Sequence, residues 1–197
     1  MGVLIVLFNN QIMRYLGSRE LAVYGVASSL FILVQTFSYG IGNAAQPIVS
    51  ENLGARQWDR IRETKNWGCI VAAAMGITAT VASLLFPTEI VSLFMKASEE
   101  VTAIAPSILR QYFICLLFVP FNVFAAYYLQ AVKQVGQSVA VSVLRGFLLS
   151  GLLVYIFPIW LGPDSIWFVM VGAECVTAIA AVYLLNQKNQ KRGLTLL

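Results

Sequence analysis

The chain has 197 residues, of which 59% are hydrophobic and 11% charged, with a formal net charge of +4 and no histidine; its mean hydropathy is +0.77. A soluble domain usually carries about 25% charged residues, so this composition argues against one. The missing histidine removes Ser-His and Cys-His catalysis and the usual zinc sites. Nucleic acid is no better a partner for the positive charge, because the basic residues sit at the ends of apolar runs, where membrane topology places them.

A hydrocarbon core of about 30 Å takes roughly 20 helical residues to cross, and six apolar segments can be drawn along the chain. The first, 1–16, would rise only about 24 Å as a helix. It has neither the basic start nor the small-residue cleavage site of a signal peptide. It reads as the second half of a spanning helix whose beginning is missing, with a short interfacial or re-entrant helix as the alternative. Asn9, Asn10 and Gln11 form an unusual polar cluster within it.

The second segment covers 21–49, the third 67–86, the fourth 104–132, the fifth 138–157 and the sixth 166–186, followed by a basic tail at 187–197. Segments two and four would each extend over about 40 Å, so they must tilt, bend or project into water. Pro47, Pro120 and the Gly40/Gly42 pair mark the places to bend. The predicted fold is therefore an all-α membrane protein, a six-helix transmembrane bundle whose helices satisfy their own backbone groups in lipid.

The basic residues set an orientation. With the second-to-third connector in the cytoplasm, Arg56, Arg60, Arg62, Lys65, Lys133, Arg145, Lys188, Lys191 and Arg192 fall inside, and Arg14, Arg19, Lys96 and Arg110 fall outside. Nine against four predicts an even number of crossings and both termini in the cytoplasm of a bacterium. "ARQWDRIRETKNW" then reads as a surface helix, with Trp58 and Ile61 toward the interface and the charges toward water. Cys69, Cys115 and Cys175 are odd in number and lie in apolar stretches, which suits small packing residues better than a disulfide framework or a metal site.

Ionisable groups at mid-bilayer cost roughly 3 kcal/mol on insertion scales and are usually paired, cavity-facing or functional. Glu174 is the carboxylate well inside a span. In an antiparallel hairpin Arg145 would come within about 6 Å of its depth. The two residues predict a buried pair, read as a structural pin, as a proton-responsive element, or as groups held at the interface. Gln35 and Asn122 lead the candidates for a transport cavity, with Gln111, Tyr127 and Asn10 beside them. Aromatic faces and uncharged amides suit flat cations, and equally suit stitching helices together.

The stretch "GIGNAAQPIVSENLGA", 40–55, ends the second segment. Its glycines permit close helix approach. Asn43, Gln46 and Asn52 can bond the last carbonyls, Pro47 sets a bend, and Gly54 can take the left-handed conformation that closes a helix. It reads as a structural exit, with Gln46 or Asn43 in a substrate path as the alternative. Gly40, Gly42, Gln46, Pro47, Asn52, Gly54 and Ala55, in that order before a basic connector, resemble the signature of the multidrug and toxic compound extrusion (MATE) family. The segment 144–174 is similar to the last helix pair of its MepA-type bacterial members.

That resemblance implies a twelve-helix antiporter built of two six-helix lobes around a central cavity. Such antiporters expel cationic or amphipathic compounds against entering H⁺ or Na⁺. The signature occurs once here, so the chain resembles one lobe, and its closing pair and basic tail make that the C-terminal lobe with its first helix truncated. The resemblance implies no cofactor beyond the coupling ion, and the partners it implies are membrane lipids, small cationic or amphipathic substrates, and a missing N-terminal lobe or a second copy. Members with a coupling carboxylate in this lobe carry it on the lobe's first and fourth helices, where this chain has none, so the coupling site is not identified here.

Three other readings stay open or fall. A lipid-linked oligosaccharide flippase of the same superfamily would need more cationic residues for pyrophosphate, and a non-transporting membrane fragment fits the short first segment. An intramembrane enzyme does not fit: polyprenyl-type chemistry needs clustered aspartates for Mg²⁺ and rhomboid-type proteolysis needs histidine.

Overall fold

The computed structural model describes residues 2–96 and 98–193, with side chains through Asn186, and every regular element among them is helical. Helix α1 (Gly2–Tyr15) turns at Gly17, whose φ of 137° favours glycine, into α2 (Ser18–Gly54). Helix α3 (Trp58–Leu85) follows, then a short α4 (Pro87–Phe94). The fourth crossing is α5 (Glu99–Tyr112), a 3₁₀ turn at Phe113–Leu117, and α6 (Val119–Ala131). The fifth is α7 (Val135–Val143), a π-turn at Leu144–Leu148, and α8 (Leu149–Leu161). A 3₁₀ turn at Pro163–Phe168 leads into α9 (Val169–Gly193).

Five of these crossings are long and apolar enough to span a bilayer. Most run past the ends that hydropathy drew. The physical reason is that hydropathy stops at the first charges, whereas i→i−4 bonding continues through good helix formers such as Glu, Arg and Lys. The expected surface helix at 55–67 is one case: from Trp58 on its backbone is the first turns of α3, with no break between Trp58 and Leu85. Ile61 does not face the interface either. It is buried against Val49, Ala131 and Val132, while Trp58 stays exposed. The tail is another case, because α9 continues to Gly193, and the side chains of 187–197 lie outside the described residues. Helix α4 had no counterpart in the sequence reading.

The expected bend at Pro120 takes a specific form. Proline cannot donate to the preceding turn, and there the ladder tightens to 3₁₀, with Phe118 N–H donating to Cys115 O at 3.0 Å. At the end of α2 the closing residue is not Gly54. Gly54 is helical, and Arg56 adopts φ 56° instead. Its N–H reaches Leu53 O at 3.3 Å and Gln57 N–H reaches Asn52 O at 2.9 Å, the paired bonds of a Schellman ending. Lys133 (φ 61°) ends α6 in the same way, with Gln134 N–H on Leu129 O at 2.8 Å.

Helix α6 is the axis of the bundle and packs on α2, α3, α7 and α9. Phe113, Leu116, Val119, Phe124, Ala125 and Leu129 expose no surface. Near the α1–α2 turn the core is aromatic: Phe8 stacks on Tyr24 at 5.3 Å, and Tyr24 and Phe31 meet Tyr112 edge-on at 6.0 and 6.3 Å. Arg19 and Glu100 pair across this end at 3.5 Å. The two Schellman endings lie at the opposite end, joined through Ile61 and Val132. Outward faces of α3 and α8 remain apolar, with Trp67, Ile77, Ile159 and Trp160 more than half exposed, a pattern that costs nothing against lipid.

Candidate functional site: an amphipathic cavity beside a buried ion pair

Residues of α1, α2, α6, the fifth crossing and α9 line a half-open cavity of about 430 Å³. Helix α2 lines it with Ile32, Gln35, Thr36 and Tyr39, which share one helical face through their three- and four-residue spacing. Ile32, Thr36 and Tyr39 are exposed and form the mouth; Gln35 is buried. Tyr127 of α6 faces Tyr39 with ring centroids 6.1 Å apart. Leu4, Phe31 and Met170 give the wall its apolar part.

At the inner wall stand Arg145 and Glu174, the two charged residues of the lining. Arg145 Nη2 donates to Glu174 Oε1 at 2.9 Å, and Arg145 Nε lies 3.2 Å from Oε1 and 3.4 Å from Oε2. Asn122 Nδ2 donates to Glu174 Oε2 at 2.7 Å and to Glu174 O at 2.9 Å. Burial of both charges is expensive unless they are paired and bonded, and here three donor nitrogens converge on one carboxylate. Asn122 is fully buried and its Oδ1 has no hydrogen-bond partner among the described residues.

Local sequence explains how Arg145 is held. It sits in the π-turn, where Leu149 N–H bonds Leu144 O one residue further back than in an α-helix. Such insertions free a carbonyl and are frequent at functional sites. Here Ser150 Oγ donates to Arg145 O at 3.1 Å. The adjacent Gly146 lines the cavity, and a Cβ built there meets nothing within 4 Å.

Of the residues singled out from sequence, the structure brings Gln35, Tyr127, Arg145 and Glu174 to the cavity and sets Asn122 behind it, bonded to Glu174 and not on the lining. Gln111 is half-buried on α5 and Asn10 exposed on α1, and neither lines the cavity. The glycine-rich stretch has a packing role at one point: a Cβ on Gly42 would lie 2.5 Å from Tyr127 Cγ. Gly40 meets nothing and borders a separate groove of about 1070 Å³ between α2 and α3. Asn52 Nδ2 bonds Ile48 O at 2.7 Å within its own helix. Gln46 is half-buried and Pro47 exposed, both inside α2, and no break occurs at either.

The sequence reading passed over Thr36, Tyr39, Ser142 and Gly146. The signal was present for the first two, which follow Gln35 on the same helical face. Among the described residues no three His, Cys, Asp or Glu side chains gather as a metal site would need.

A helical bundle with five membrane-length apolar crossings and lipid-compatible outer faces defines an integral membrane protein. The family assignment is direct: the MatE family model matches residues 3–156, and the chain belongs to that family. Solved structures share the fold at low identity. A MOP superfamily transporter from Pyrococcus furiosus, described as having a binding pocket of reverse polarity, superposes with a TM-score of 0.85 at 17% identity, over 95% of this chain and 42% of its own. The outward-facing form of a multidrug resistance MATE transporter gives 0.85 at 18% identity, over 95% and 42%. A MATE protein in the bent conformation gives 0.87 at 18% identity, over 99% and 43%. This chain thus spans less than half the length of these relatives, as a single lobe would. No match is found among functionally curated proteins.

Proposed function

We propose that this chain is one lobe, the C-terminal one, of a multidrug efflux antiporter that exports cationic or amphipathic compounds in exchange for H⁺ or Na⁺. It would lie in a bacterial cytoplasmic membrane with both termini cytoplasmic. The observation that carries the reading is the cavity itself. Its Tyr39–Tyr127 wall, buried Gln35 amide and apolar remainder suit broad, shape-led binding, and its mouth lies on the face of α2. The fold's occurrence in both outward- and inward-facing relatives supports alternating access between lobes.

One lobe supplies half of such a cavity. Polar groups at the mouth would meet lipid unless a partner covers them, and that partner would be an N-terminal lobe or a second copy of this chain. Without either, the chain is a non-transporting membrane fragment. The flippase reading has Arg145 on the cavity wall in its favour, as a single cation.

The test is ethidium efflux and drug susceptibility in a bacterium stripped of its own efflux pumps, expressing the chain alone and the chain fused behind a six-helix MatE lobe. Efflux above the empty vector in the fused form, lost when Tyr39 and Tyr127 are both changed to Ala, is expected. Efflux indifferent to those changes would remove the cavity from the pathway. Activity of the chain alone would favour assembly of two copies.

A further inference from the structure

We infer that this cavity engages its substrates through an acidic or carbonyl end seated on Arg145, and that it selects flat aromatic carboxylates and zwitterions over compounds that are only cationic. The inference rests on the efflux reading above and narrows its substrate class. A carboxylate that a ligand could reach would favour cations, and the geometry withholds the one carboxylate of this lining. Glu174 is 1% exposed, and both its oxygens already accept from Arg145 Nε, Arg145 Nη2 and Asn122 Nδ2.

The other half of the pair is not used up. A guanidinium carries five N–H donors, and Nη1 of Arg145 makes no hydrogen bond among the described residues. Both residues border the cavity, and Arg145 keeps 9% of its surface there against 1% for Glu174. The side that the pair turns to a ligand is therefore a donor edge carrying positive charge.

The remaining lining agrees with this polarity. Among the described residues no other charged side chain borders the cavity. Thr36 Oγ1 donates to Ile32 O at 2.8 Å, while the Gln35 amide has no partner among the described residues and can serve either polarity. Tyr39 and Tyr127 offer ring faces for a flat body. The bonds to Glu174 hold the guanidinium in place and the open space at Gly146 leaves room beside it for a ligand, so little ordering is needed on binding.

The experiment compares two probes of one shape and opposite charge, naphthalene carboxylate and trimethyl naphthyl ammonium. Binding to the full chain is measured by equilibrium dialysis in uncharged maltoside micelles, which keep lipid phosphate out of the comparison. A charge-assisted hydrogen bond is strong enough to separate the two by about tenfold or more in favour of the carboxylate. The preference should vanish in the double variant Arg145→Leu/Glu174→Leu, which removes both charges together and leaves the Asn122 amide its bond to the backbone carbonyl of residue 174. Gly146→Trp, at a position where a Cβ meets nothing within 4 Å, should fill the cavity and weaken both probes.

Equal or tighter binding of the ammonium, a preference that survives the double variant, or no binding of either probe would each overturn the inference. The efflux assay stands apart from it. Export of a permanent cation with no carboxylate preference would leave the transporter reading and remove this one; a carboxylate preference without export would do the reverse.

Discussion

At the scale of single residues, the Arg145–Glu174–Asn122 group dominates. Its stability follows from asymmetry: a paired buried charge is tolerated, an orphaned one is not. Glu174→Leu alone should destabilise the chain by roughly 3–5 kcal/mol, as should Arg145→Leu, since each strands a buried ion. The double change should recover most of that loss. Thermal unfolding in detergent, run as a double-mutant cycle, checks this, and additive losses would show that the two side chains are not coupled. From the sequence, the depth argument brings these two residues together. It does not predict that Asn122 joins them, because nothing along the chain says which face of α6 turns toward α9. It also does not give the π-turn, which depends on one extra residue being accommodated between α7 and α8.

At the scale of elements, small residues set how closely helices approach. A Cβ on Gly68 would meet the Phe124 ring, and one on Gly76 would lie 2.7 Å from Leu117 O. The backbone at Leu117 cannot yield and the fully buried Phe124 ring has no space to move into, so Gly76→Ala and Gly68→Ala should each cost about 1–3 kcal/mol by overpacking. Gly40→Ala meets nothing and should be neutral, or stabilising by up to about 1 kcal/mol through helix propensity. Denaturant titration in mixed micelles separates the two outcomes. Equal costs at all three sites would mean that α2, α3 and α6 are not packed as described.

The helix ending gives a second prediction at this scale. Left-handed backbone costs a non-glycine residue about 1–2 kcal/mol, so Arg56→Gly should stabilise the α2 ending, and Gly54→Ala should cost little. The sequence pointed to Gly54 because glycine is the commonest such closer. The structure assigns that place to Arg56, because the chain must turn back where Ile61 can reach Val49 and Val132.

At the scale of the whole molecule, the remaining question is which way the bundle sits. The two Schellman endings and the Arg19–Glu100 pair lie at opposite ends, so one label fixes both. With Cys69, Cys115 and Cys175 replaced by Ala, a cysteine at Gln57 should react with a membrane-impermeant maleimide in inverted vesicles and stay unlabelled in intact cells. A cysteine at Lys96 should do the opposite. The reverse pattern would invert the proposed topology and move the basic connector to the exterior.

What the sequence determines by itself is the solvent and the class: long apolar runs, charges gathered between them and a glycine–proline signature specify membrane-crossing helices of one family, because these depend on composition and short spacing. Approximate helix positions come with that. Rotation of each helix about its axis, the ends of helices beyond the first charge, and the meeting of Gln35, Tyr39, Tyr127 and Arg145 around one cavity were decided only by tertiary packing. Those depend on which glycine admits which ring across tens of residues, and no local pattern carries that information.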